Sequence, residues 1–212
     1  MLLDHNYNQR EFWKKDFGSE YIKRNISVSD IDDLYKKTMD ITLEELYESF
    51  FGTLDRSISI LELGCNIGLN LSILQKMNFK NLHGLDINQL AINKAKKDFP
   101  EMDFFNSSIE QFDIGKKFDL VFTSGVLIHI NPESLNTIMQ KMMELTNQYI
   151  FGFEYFSENL TEINYRNNLG VCWKQNFPSL FKNSFPILNL IQEKKFFHKD
   201  SDLCDVGYLL KK

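Results

Sequence analysis

The stretch Ile58-Ser-Ile-Leu-Glu-Leu-Gly-Cys-Asn-Ile-Gly-Leu-Asn70 decides the fold. It opens on a short run of β-branched and leucine residues that carries one acid, Glu62. Two glycines follow four residues apart, Gly64 and Gly68. Then comes Leu-Asn-Leu-Ser-Ile-Leu-Gln-Lys, with apolar residues at helical spacing. This pattern reads as strand, tight glycine turn and helix N-terminus. Glycine lets a backbone approach a ligand closely and adopt unusual φ angles, so the turn has the form of a nucleotide-cofactor loop.

What the loop lacks narrows the cofactor. A dinucleotide fingerprint places a glycine where Asn66 stands. A phosphate-cradling P-loop ends in lysine and a hydroxyl residue, and Gly68-Leu69-Asn70 supplies neither. The loop therefore suits a cofactor without phosphates, and a nicotinamide oxidoreductase is disfavoured.

Composition bounds the rest. A chain of 212 residues holds one well-buried α/β domain and a terminal elaboration. The hydrophobic share of 43% and charged share of 25% fit a soluble globular protein, and the 19 phenylalanines are expected in its core. A net charge of −5 with scattered lysines argues against nucleic acid. Cys65, Cys172 and Cys204 are odd in number and lack metal-ligand spacing, which points to the reducing cytoplasm. None of the four histidines clusters with acids, so no metal is expected. No apolar run approaches the ~18 residues of a membrane span, and the start, Met1-Leu-Leu-Asp-His-Asn, lacks the marks of a signal peptide.

Outward from the glycine turn, Leu82–Ile87 forms a second strand ending at Asp86, 22 positions after Gly64. A carboxylate there can accept two hydrogen bonds at once, as the two ribose hydroxyls of a nucleoside require. Residues 89–99 form a helix stopped by Pro100. Residues 102–112, 117–130 and 148–153 supply three more strands with their loops, and Asn131-Pro132 opens a helix. Strand and helix alternate with short loops, so the fold class is α/β: a doubly wound, mostly parallel seven-stranded sheet. It ends in an antiparallel hairpin, residues 187–198 against 203–210. Before the sheet, residues 1–53 read as an N-terminal helical lid or extension on a single compact unit, residues 54–212. Two short helices broken at Gly18 carry Phe12, Trp13, Phe17 and Tyr21. Thr42-Leu-Glu-Glu45 reads as a capping box.

Glu62/Gly64/Gly68, Asp86, Asn106-Ser-Ser-Ile109 and Phe118-Asp-Leu-Val-Phe122 resemble, in order and spacing, the class I S-adenosylmethionine (SAM) methyltransferases. The resemblance implies SAM as cofactor and S-adenosylhomocysteine (SAH) as product. It implies that Glu62, Gly64, Asn66 and Gly68 belong to the cofactor loop and that Asp86 holds the ribose. Ile87 would pack on the adenine, Ser108 and Ile109 would border it, and Ser124 would start the loop under the sulfonium. Trp13, on the N-terminal helices, either closes over the cofactor or packs against the sheet edge.

A narrower likeness covers almost the whole chain. Phe12-Trp13, Phe17-Gly18, Tyr21 and Arg24-Asn25 are similar to the opening of methylases associated with pseudaminic acid biosynthesis. So are Ser124-Gly-Val-Leu-Ile-His-Ile-Asn-Pro132, Glu154-Tyr-Phe156 and Glu162-Ile-Asn-Tyr-Arg166. The chain departs from that family at Asn167-Asn168, where Gly-His is expected, and at Trp173–Phe177. The likeness implies O-methylation of a sugar or surface-glycan precursor, a nonulosonic acid or capsule unit. A sugar hydroxyl needs a base, and His129, after the fourth strand, is the candidate; the alternative is a histidine that caps Asn131-Pro132 or packs under the helix. Glu154, Tyr155, Tyr165 and Arg166 would meet the acceptor, the arginine gripping a carboxylate or phosphate. The alternatives are an amine, carboxylate or phosphoryl acceptor in a capsule pathway, and a non-catalytic scaffold with a SAM fold. The oligomeric state is not legible.

Overall fold

The computed structural model describes residues 5–24 and 27–212, so Asn25 of the resemblance lies outside the described residues. The chain runs α1 (His5–Lys14), α2 (Asp16–Arg24), α3 (Val28–Met39), α4 (Leu43–Phe51), β1 (Ser59–Leu63), α5 (Leu69–Lys76), β2 (Asn81–Asp86), α6 (Gln89–Asp98), β3 (Asp103–Asn106) and β4 (Phe118–Ser124). A 3-10 turn (Leu127–His129) leads into α7 (Pro132–Leu145), β5 (Thr146–Tyr155), β6 (Thr161–Glu162), β7 (Trp173–Lys174), α8 (Phe177–Ser184), β8 (Asn189–Phe197) and β9 (Cys204–Lys211).

Seven strands lie in the order β3-β2-β1-β4-β5-β9-β8. β1 to β5 are parallel, and β9 inserts antiparallel between β5 and β8. The expected doubly wound sheet with its antiparallel hairpin is therefore present. Helices α4, α5 and α6 pack on one face and α7 and α8 on the other. All five residues of β1 are buried, as a central parallel strand covered on both faces requires. The phenylalanines do fill the core: Phe50, Phe51, Phe122 and Phe151 form one aromatic cluster, and Phe177 and Phe181 are fully buried on the opposite face. The hairpin is closed by His198 Nε2 against Asp205 at 2.7 Å.

The N-terminal 53 residues divide physically. Helix α4 is a core element, with Leu43, Leu46, Tyr47 and Phe51 fully buried, and Thr42 and Glu45 form the expected capping box. Helices α1 to α3 lie instead across the carboxyl ends of the strands. The break between α1 and α2 falls at Lys15, and Gly18, expected to be the breaker, sits inside α2. Its role is close approach. A Cβ at Gly18 would lie 1.8 Å from the Trp13 carbonyl oxygen and 2.8 Å from Asn88 Nδ2. Among the described residues, no helix is long and apolar enough to cross a membrane.

Candidate active site

The carboxyl ends of β1, β2 and β4 open into a cleft of about 280 Å³, near the lower end of the size range of small-molecule sites. Its floor comes from the turns after these strands, with Gly64, Asn66, Asp86, Ile87, Ser108, Ile109 and Ser124 on the wall. Its roof comes from α1 to α3, with Trp13, Tyr21 and Tyr35. His129 stands on the same wall.

The glycine turn is held by its surroundings. Gly64 and Gly68 take φ of 74° and 82°, and Asn66 also lies at positive φ. A Cβ on Gly64 would come within 2.5 Å of Val126, so this glycine lets the β1 and β4 loops touch. Gly68 caps α5 and leaves room for Phe104 and Phe99. It serves helix-to-sheet packing and does not line the cleft.

Asp86 accepts the Asn66 N–H through one oxygen and the Asn88 N–H through the other, each at 2.8 Å. Burial raises its pKa, and these backbone donors pull it back. Each carboxylate oxygen keeps a lone pair for a further donor. Ser108, at the end of β3's loop, is buried and its Oγ has no partner, and the Trp13 indole Nε1 is likewise buried and unpartnered. A diol-accepting acid, an unsatisfied hydroxyl on an apolar wall and a phosphate-free glycine turn together fit an adenosine cofactor.

Glu62 requires a correction. It is 1% exposed and stands behind the cleft wall, where it accepts a hydrogen bond from Asn70 Nδ2 at 2.6 Å. Asn70 lines the cleft and Glu62 does not. Burial pushes the Glu62 carboxyl up to about 8, against the pull of Asn70. One of its oxygens has no partner.

His129 ends the 3-10 turn and is 8% exposed. Its Nδ1–H donates to the Val171 carbonyl at 2.7 Å, which fixes the tautomer and leaves Nε2 as an acceptor. Trp13 and Tyr165 pack on the ring at centroid distances of 4.5 and 4.8 Å. Burial lowers its pKa to about 4, so the imidazole is neutral. Gln9 fastens α1 beside it by accepting the Asn131 N–H at 2.8 Å.

The four expected acceptor residues part company. Glu154 is also a correction: it is 1% exposed and gives its carboxylate to three backbone amides of the His129 loop, so it has no free face for an acceptor. Tyr155 is half-buried beside His198 and does not reach the cleft wall. Tyr165 packs on His129 and lies 6.1 Å, ring to ring, from Phe17 of α2, and is not among the residues that line the cleft. Arg166 is exposed, with its guanidinium 5.7 Å from the Tyr165 ring centre. Glu162 does not pair with it and instead accepts the Gly170 N–H. Sequence reasoning missed Gln9, Tyr35 and Asn88. The only advance signal was the helical spacing of α1 and α3.

Comparison with known proteins agrees with this geometry. Residues 60–148 match the family described as a methyltransferase domain. No curated protein matches. Magnesium protoporphyrin IX methyltransferase from Synechocystis PCC 6803 with bound SAH is a similar structure, with a TM-score of 0.74 and 11% identity over 99% of this chain and 100% of that one. The Burkholderia thailandensis 1,6-didemethyltoxoflavin N1-methyltransferase has a TM-score of 0.67 and 13% identity over 100% and 91%. The N-terminal domain of EvdMO1, solved with SAH and D-fucose, has a TM-score of 0.61 and 14% identity over 80% and 82%. The fold is the class I methyltransferase fold. The methyltransferase-domain match thus lies on the strands and turns that build the cleft floor.

Proposed function

We propose that the chain is a SAM-dependent methyltransferase that acts on a small molecule and methylates a hydroxyl oxygen of a sugar or surface-glycan precursor, of the nonulosonic-acid or capsule kind. The observation that carries the reading is His129. Its Nδ1–H is committed to Val171, its ring is neutral, and its remaining nitrogen is an acceptor on the wall of the cofactor cleft.

SAM supplies, when bound, a methyl group activated by a positively charged sulfur. Asp86, the Gly64 turn, Ile87, Ser108 and Ile109 are the residues that would hold it. The protein's further work is alignment, exclusion of water and removal of one proton. Roofing by Trp13, Tyr21 and Tyr35 excludes water and offers aromatic faces of the kind on which sugar C–H groups stack. His129 Nε2 takes the hydroxyl proton as the oxygen is methylated. Its low basicity keeps it ready as an acceptor at every pH above about 4. Tyr165 and Arg166 sit behind His129, where an anionic group on the acceptor would find a cation. The resemblance of residues 124–132 and 154–166 to glycan-pathway methylases supports the same acceptor class. So does a fold neighbour solved with D-fucose.

The experiment is transfer of labelled methyl from SAM to free and nucleotide-activated sugars, with wild type and His129→Ala. A hydroxyl acceptor predicts a loss of about 10²-fold or more in kcat for His129→Ala with SAH affinity kept. An unchanged rate would overturn the base and point to an amine or carboxylate acceptor. SAM binding without turnover of any sugar would overturn the acceptor class.

A further inference from the structure

We infer that Glu154 is the positioning residue of the transfer site: its buried carboxylate at the end of β5 holds the backbone of residues 126–128 and so sets where His129 stands on the cleft wall. This deepens the reading of His129 as the base, and it can be tested independently of that reading.

The geometry is specific. One Glu154 oxygen accepts the N–H groups of Val126 and Leu127, each at 3.2 Å, and the other accepts Ile128 N–H at 3.3 Å. These amides open the 3-10 turn, where backbone donors lack partners within the turn. The parallel register that sets Ser124 beside Phe153 brings the acid to them, and Gly125 N–H adds a bond to the Phe153 carbonyl at 2.8 Å. His129 follows at once, its N–H bonded to the Val126 carbonyl at 2.9 Å. The imidazole is thus fixed from two sides, its backbone by Glu154 and its Nδ1 by Val171. The same loop presents Val126 to Gly64.

Among the described residues, no ion pair compensates Glu154. The titratable groups that feel its charge are Tyr208 of β9 and Cys172 before β7, both pushed up first by burial and then by Glu154. Thr123 of β4 is buried and its hydroxyl makes no hydrogen bond, so it adds neither a donor nor a charge. The three amides are what its carboxylate has in place of a cation, and burial still lifts it to about 7. A proton on Glu154 would set an O–H donor against N–H donors and slacken the clamp. The transfer site should therefore have an acid limb near neutrality that belongs to Glu154, because His129 titrates near 4.

The test is amide hydrogen exchange by NMR together with steady-state kinetics, on wild type and Glu154→Gln, between about pH 5.5 and 8.5. Glutamine keeps the size but turns one NH₂ group toward a backbone donor. In wild type, the protection factors of Val126, Leu127 and Ile128 should fall several-fold as pH drops through about 7, with kcat falling in parallel. In Glu154→Gln, protection should be low and independent of pH, kcat down roughly 10- to 100-fold, and KM for SAM within about threefold. Unchanged protection in the variant, or an acid limb that survives the substitution, would overturn the inference. If Glu154→Gln does not fold, the wild-type titration decides, and flat protection across neutrality overturns it. A fully active His129→Ala would sink the base reading alone, since the amide protection would still report on Glu154.

Discussion

The Asp86 carboxylate accepts the backbone N–H of Asn66 at 2.8 Å, joining the tip of β2 to the turn after β1. The acid thus sets the shape of the glycine turn as well as offering lone pairs to a ligand. Asp86→Ala removes both effects. It should weaken SAH binding roughly 10- to 100-fold, the ~1.5–3 kcal/mol carried by hydrogen bonds to a charged group. Calorimetry on the two proteins checks this, and equal affinities would remove Asp86 from the cofactor site.

Gly18 is where the roof crosses itself. An added methyl would collide with the Trp13 carbonyl, a backbone atom that cannot swing aside, and crowd the Asn88 amide that donates to that carbonyl at 3.1 Å. Gly18→Ala should lift α2 away from the cleft. The expected outcome is a SAH affinity lowered about tenfold or more with thermal stability little changed, because the main core lies in the sheet and its flanking helices. Binding calorimetry and a melting curve, read together, test it.

Glu62 makes stability fall with rising pH. Its folded pKa, pushed up to about 8 by burial, lies above its ordinary value of 4.5. Its contribution is complete below the unfolded pKa and is lost as pH climbs through about 8. Glu62→Gln keeps an acceptor for Asn70 without the charge. Between pH 6 and 9 the wild type should lose on the order of 1–3 kcal/mol more stability than the variant. Denaturant unfolding at both pH values measures the difference, and parallel losses would refute the raised pKa.

What the sequence discloses is mostly local. Gly64, Gly68 and Asp86 are close along the chain, and their spacing alone gives a cofactor turn and a strand-end acid. The core phenylalanines and the Thr42 capping box are legible for the same reason. The role of Glu154 depends on the register between β4 and β5, which no spacing encodes. Glu62 reads as a ligand residue until β1 proves covered on both faces. Gly18 looks like a breaker because glycine disfavours helices, yet here it permits a crossing. Asn167, where the chain begins to depart from the glycan-methylase pattern, lies with Arg166 at φ of 65° and 52° in a tight two-residue turn between Tyr165 and Asn168. Asn at such a position is a turn requirement, met by a residue that tolerates positive φ.

The floor of the cleft is built from the ends of a central sheet, and its roof from helices that precede that sheet in the chain. Gln9 and the Trp13 carbonyl fasten α1 to the floor through single hydrogen bonds to Asn131 and Asn88. The two halves therefore answer to different constraints. Changes in α1 to α3 can reshape the space above the cofactor while β1, β2 and β4 stay as they are. Graft experiments that exchange residues 5–39 between proteins of this architecture would move acceptor preference and leave the Asp86 and Gly64 side of the donor site in place. Evolution has the same freedom, and a shared donor with divergent acceptors is its natural product.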